Sequence, residues 1–325
     1  MDHSTNRFVL PFVLFIGILS VSAASIFIRF AQREAPSLTI AALRLTIASI
    51  VLAPITVTRY RKEMHKLKLR ELLLGSLSGL FLAIHFATWI SSLEYTTVAS
   101  SVVLVSTGPL WVALLSPIFL KEQLSRTALL GLGLTLVGGA VIGLSDACTW
   151  DHGLSCPYIS DVLHGRAMLG NLLALVGAWA VTGYLIIGRR LRGTLSLIPY
   201  IFLVYSIAAV VLVTLMLAAG ETPFGYQPTT YIWLLLLALL PQLIGHSIYN
   251  WALRFLPAVF VAVTTLGEPI GSAILAYFIL REKPALTVLF GGVLILIGIY
   301  LASRNHEKNN NTLQADHETT LSSLP

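Results

Sequence analysis

Ten runs of apolar residues, each about 18–25 residues long, follow one another along this chain, and that length is what a helix needs to cross a hydrocarbon core of roughly 30 Å. They lie at 8–28, 37–58, 72–90, 95–120, 127–145, 167–188, 195–218, 230–253, 256–280 and 284–302. Charged residues make up 11% of the 325 positions and hydrophobic ones 56%, whereas a soluble domain carries about a quarter charged residues. In lipid every backbone polar group must be satisfied within the segment, so the runs predict an all-α integral membrane protein with ten transmembrane helices. The first run follows Arg7 as a signal peptide would, but nine spans follow it and no small-residue cleavage site closes it, so it reads as a retained helix.

The second half can be laid on the first by adding 160 to the residue number, without a gap. Gly17 then meets Gly177, Arg29 meets Arg189, Leu93 meets Leu253, Pro109 meets Pro269, Glu122 meets Glu282, Gly131 meets Gly291 and Gly138 meets Gly298. Leucines would align by chance in so apolar a chain; Gly, Pro, Arg and Glu in one register do not. Each copy holds five helices, an odd number, so the second enters the membrane from the opposite side. The expected organisation is a first five-helix repeat at 8–145, an external loop at 146–166, a second, inverted repeat at 167–303, and a disordered tail at 304–325. Inverted repeats recur in secondary transporters, where two halves expose a midplane site to each side in turn.

Lys and Arg are enriched on the cytoplasmic side of membrane proteins. With the N-terminus inside, that side holds 15 of the 21 basic residues, among them Arg59, Arg61, Lys62, Lys66, Lys68 and Arg70, and the other side holds Arg29, Arg33, Arg166, Arg281 and Lys283. Both termini are then cytoplasmic, and the net charge of +6 calls for no nucleic-acid partner. Cys148 and Cys156 fall in the external loop, where either a disulfide or two free thiols is chemically permitted.

Three stretches carry a family resemblance: PSLTIAALRLTIAS (36–49), HFATWISSLEYTTVASSVVLVSTGPLWVALLSPIFLKEQLS (85–125) and its counterpart LPAVFVAVTTLGEPIGSAILAYFILREKPA (256–285). In these, and over about residues 8 to 303, the chain resembles the EamA-type transporters of the drug/metabolite transporter superfamily. The resemblance implies ten helices, transport and often export of amino acids, other metabolites or drugs, and a central cavity walled by helices one, three, four, six, eight and nine.

Ionisable groups inside hydrocarbon are costly and usually face a cavity or a partner. Glu268 lies some 17 Å into the ninth helix, at about 1.5 Å per residue, near the midplane. Pro269 follows it and breaks the helix, as Pro109 after Gly108 does in the first repeat; the halves share the break, but only one carries a carboxylate. That asymmetry suggests a binding site in which Glu268 pairs with a substrate amine or takes up a proton. The alternative is a protonated carboxyl bonded to a neighbouring helix. Arg44, about seven residues from the end of the second helix, is shallow enough to snorkel to the headgroups; a substrate or gate contact is the other reading. His85 with Trp89, and His246 with Tyr249 and Asn250, form aromatic and polar clusters one helical turn apart and are candidates for lining a path. Trp111, Trp179 and Tyr184 are candidates for stacking on a substrate, or interfacial anchors. Gly75, Gly79, Gly131, Gly138, Gly139, Gly291 and Gly298 read as close helix contacts.

The sequence holds no P-loop, no G-x-S-x-G and no H-E-x-x-H, so neither an ATP-driven pump nor an enzyme nor a cofactor is expected. The expectation is a secondary transporter, in the exporting direction, of small organic metabolites such as amino acids or amines, with proton coupling as the candidate drive. A lipid or drug flippase, or a passive channel on the same fold, remains the alternative.

Overall fold

The structure is a computed structural model and describes residues 6–120, 126–145, 165–256, 258–298 and 300–301. The tail, most of the long loop with Cys148 and Cys156, and Glu122 lie outside these residues. All the regular structure described is helical. Among the described residues eight helices are long and apolar enough to cross a membrane: α1 (Phe12–Ala31), α2 (Ser37–Arg59), α3 (Leu69–Tyr95), α4 (Val98–Leu115), α6 (Arg166–Leu191), α7 (Leu197–Ala218), α8 (Pro228–Ala252) and α9 (Ala258–Leu280). Two more apolar helices, α5 (Arg126–Ser145) and α10 (Leu286–Gly298), take the fifth and tenth places. Large apolar side chains such as Phe15, Ile50, Leu73 and Phe290 are exposed on the outside, as a lipid-facing surface requires.

The offset of 160 reappears in space. Gly17 of α1 packs on Ile248 and Tyr249 of α8, and Gly177 of α6 packs on Thr88 and Trp89 of α3. Arg29 donates to the Leu93 carbonyl at 2.5 Å and Arg189 donates to the Leu253 carbonyl at 2.6 Å. The direction of the halves follows from α3. The last turn of α1 reaches the end of α3 through Arg29, while Gly170, near the start of α6, packs on Tyr95 and Thr96 at that same end. Equivalent helices therefore run antiparallel, and the two repeats are inverted.

Helix starts leave N–H groups without partners, and several are capped by glutamates from elsewhere in the chain. Glu94 accepts from the Ser37 amide at 3.2 Å and Glu221 from the Thr39 amide at 3.0 Å, both at the start of α2. Glu34 takes the Gln227 amide at 3.0 Å at α8, and Glu63 takes Ser196 at 2.8 Å at α7. Placing an anion at the positive end of a helix adds a favourable dipole interaction.

Glycine sets the closest helix approach. A Cβ on Gly138 of α5 would lie 2.6 Å from the Gly291 carbonyl of α10, and one on Gly298 would lie 2.6 Å from the Gly131 carbonyl of α5. A backbone oxygen cannot swing aside, so the helices must separate. A Cβ on Gly133 would meet nothing within 4 Å. Gly138→Ala should therefore destabilise by about 1–3 kcal/mol, while Gly133→Ala should be neutral or slightly stabilising, because alanine is the better helix former. Thermal unfolding in detergent checks this, and equal shifts for the two would refute the close-packing account.

Candidate functional site

The two broken helices meet at the centre. In α4 the helix Val98–Val105 ends and Gly108–Leu120 begins anew; in α9, Ala258–Thr264 ends and Gly267–Leu275 begins. A proline ring clashes with the carbonyl four residues earlier, which for Pro109 is Val105 and for Pro269 is Thr265. Threonines at the breaks donate to carbonyls three residues back: Thr107 Oγ1 to Leu104 at 2.8 Å, and Thr264 and Thr265 to Val261 and Ala262 at 2.7 Å. Helix α8 is interrupted in another way. Pro241 cannot bond the Leu237 carbonyl, the regular α-helix stops at Leu237, and a π-helix runs over Ala238–His246. Such segments often mark functional positions. The equivalent residue of the first repeat is Phe81, inside the unbroken α3.

Between these helices lies a cavity with about 60 Å³ of space for the centres of water-sized molecules, room for a few waters. Its wall comes from α3 (His85, Trp89), α4 (Val105, Ser106, Gly108, Pro109), α6 (Val181, Tyr184, Leu185), α8 (His246, Tyr249) and α9 (Ala262, Thr265, Glu268). Helix α1, included by resemblance, contributes no lining residue among those described; it packs behind α8 and α9, where Gly267 sits against Ile18. His85 and His246 stand 161 apart in number, one off the repeat offset. They face one another across the cavity with ring centroids 6.4 Å apart.

Each ring is held. His85 Nδ1 donates to the Gly177 carbonyl at 2.9 Å, because a carbonyl can only accept, and this leaves Nε2 as an acceptor. Trp89 stacks on His85 at 5.8 Å and 15°. Tyr184 Oη receives a hydrogen bond from Asn250 Nδ2 at 2.5 Å, and the same amide donates to the His246 carbonyl at 2.8 Å. Asn250 therefore stands behind the wall and orients Tyr184. The indole N–H of Trp89 and the hydroxyl of Tyr249 are buried without a hydrogen-bond partner among the described residues, and both residues line the cavity. The Glu268 carboxylate also faces this space and accepts no hydrogen bond among the described residues.

Arg44 does not snorkel. It is wholly buried, Nε donates to Gln242 Oε1 at 2.8 Å, and the guanidinium lies 4.0 Å above the Phe86 ring. Phe86 in turn meets the edge of His246 at 5.3 Å. Arg44 thus sits one layer behind the cavity, and its charge is felt at Glu268. Its Nη1 and Nη2 have no hydrogen-bond partner among the described residues. The helical face, not the depth, decided its direction: α2 turns this residue toward α8. Sequence reasoning missed Gln242; the signal was Pro241 inside an apolar span. Trp111 and Trp179 pair edge to face at 5.4 Å, but neither lines the cavity, and Trp179 is half exposed at the surface.

A multi-pass, all-helical chain of two inverted repeats, with a central cavity where broken helices meet, has the architecture of a membrane transporter. Residues 10–144 and 168–304 both match the EamA-like transporter family, and the chain belongs to that family. Family membership is what the matched repeats show. An uncharacterized transporter of Archaeoglobus fulgidus is 26% identical over 126 residues, 38% of this chain and 43% of that protein, so the matched part spans less than half of the relative. A solved crystal structure superposes with a TM-score of 0.63 at 17% identity, covering 93% of this chain and 99% of that one, a likeness that shows the fold.

Proposed function

We propose that this chain is a secondary transporter of the cell membrane that exports small organic metabolites bearing an amine, such as amino acids or amines. One observation carries the reading: the Glu268 carboxylate faces an aromatic-walled cavity and accepts no hydrogen bond among the described residues. An anion facing a cavity within the membrane needs a counter-charge or a proton, and an ammonium group satisfies it while its surroundings stack on rings such as Trp89 and Tyr249. When the cavity is empty, a proton on Glu268 serves instead, and this couples transport to a proton gradient. Ten crossings, with both termini cytoplasmic, fit the distribution of Lys and Arg. The halves 8–145 and 167–303 rock about the broken helices to expose the cavity to each side in turn.

The test is uptake of radiolabelled amino acids and amines into proteoliposomes holding the purified protein, with and without an imposed pH gradient. Saturable uptake with counterflow, stimulated by the gradient, is the expected result. Flux that does not saturate would make the protein a channel, and flux of labelled lipid unaffected by soluble amines would make it a flippase.

A further inference from the structure

At one end of the bundle a single cluster of contacts ties together helix ends from both repeats. Arg29, in the last turn of α1, donates through Nη1 to the Leu93 carbonyl at 2.5 Å and through Nη2 to the Thr96 carbonyl at 2.9 Å. The same Nη2 lies 3.2 Å from Glu282 Oε1. The other carboxylate oxygen of Glu282 accepts from the Val98 amide at 3.0 Å, the first residue of α4. Glu282 is aimed there by the end of α9. The π-helix Ala276–Leu280 closes on Arg281 in the left-handed region at φ 59°, and the Glu282 amide returns to the Ala276 carbonyl at 3.2 Å. The clasp therefore joins α1, α3 and α4 of the first repeat to α9 of the second. Three of these, α3, α4 and α9, carry cavity residues.

We infer that Arg29 and Glu282 are positioning residues that hold this end of the cavity shut, and that opening toward this side requires their ion pair to break. Separating α9 from α3 and α4 pulls Glu282 off both Arg29 and Val98. It leaves a cation and a helix N-terminus without their shared anion, at a place where about a quarter of each charged side chain is exposed. Water admitted by the opening replaces these partners, so the clasp is strong enough to favour the shut state and weak enough to release. Arg189 reaches Leu253 in the equivalent way at the other end; the acid that corresponds to Glu282 there, Glu122, lies outside the described residues. The inference rests on the alternating-access reading above.

The experiment needs no substrate, so it can fail while transport stands, and transport can fail while it stands. Ser106→Cys places a thiol on the cavity wall in a background carrying Cys148→Ser and Cys156→Ser. A membrane-impermeant maleimide is then applied to right-side-out and to inside-out vesicles. Glu282→Gln keeps an acceptor for the Val98 amide but removes the charge, and it should speed labelling about fivefold in one vesicle orientation only. Arg29→Gln should do the same, the double variant should add nothing further, and Arg29→Lys should fall between. Unchanged rates overturn the inference. So does acceleration from both sides, the result of a merely loosened fold, and so does an additive double variant.

Discussion

Glu268→Gln should lower saturable uptake about ten- to a hundredfold and abolish its response to a pH gradient, with the fold intact. The amide matches the carboxylate in shape but can neither bear the charge that holds an ammonium nor take up a proton. A hydrogen bond to a charged group contributes about 1.5–3 kcal/mol, and 1.4 kcal/mol is about tenfold in affinity, which sets the range. Stability should change little, because no hydrogen bond to this carboxylate is lost among the described residues and the relief of burying a neutral group offsets the lost attraction to Arg44. Proteoliposome uptake and thermal unfolding of the same preparation separate the two effects. Full uptake that still follows the proton gradient would remove Glu268 from the mechanism and leave its carboxyl a packing group.

The second large effect is expected at Arg44. Arg44→Met keeps an unbranched side chain over Phe86 but removes the donor that Gln242 Oε1 accepts from at 2.8 Å and the positive charge that Glu268 feels. Orphaning a buried acceptor costs about 1–3 kcal/mol, and stability should drop by at least that much. Uptake should also fall, although Arg44 does not touch the cavity. Because the two opposite charges depend on each other, Arg44→Met combined with Glu268→Gln should lose less stability than the separate effects predict, with a coupling above about 0.5 kcal/mol. Additivity within that margin, read from thermal unfolding of the four proteins, would show the two groups to be independent and Arg44 to be a packing residue alone.

How much of the site was legible varies with the kind of constraint. Glu268 and the two prolines could be read from the chain because a carboxylate within an apolar run and a proline within a helix are each costly in place, wherever the neighbours lie. His85, Trp89, His246 and Tyr249 were found as local clusters, since one helical turn puts residues on a common side. The convergence of the two histidines on one cavity was not legible: it depends on how α3 and α8 are placed and on the π-helix around Pro241 in α8, which its repeat counterpart α3 lacks. Trp111 and Trp179 show the opposite outcome. Their chemistry suited a stacking role, but α4 and α6 turn them away from the cavity wall.

Local rules and a register determined the rest of what the chain alone could settle. Apolar runs of membrane-crossing length demand helices because lipid offers the backbone no partner. The constant offset of 160 with an odd number of helices in each copy demands inversion, and the contacts of Gly17 and Gly177, and of Arg29 and Arg189, repeat that offset in space. Only the tertiary structure decided that Arg44 lies inward across Phe86, that α1 stands behind the wall, and that Glu282 reaches back to Arg29 and Val98. Those outcomes turn on which side of each helix meets which neighbour. Nearly every side of these helices is apolar, so hydrophobic periodicity carries little information about facing; close packing at small residues and the pairing of a few buried polar groups make that choice.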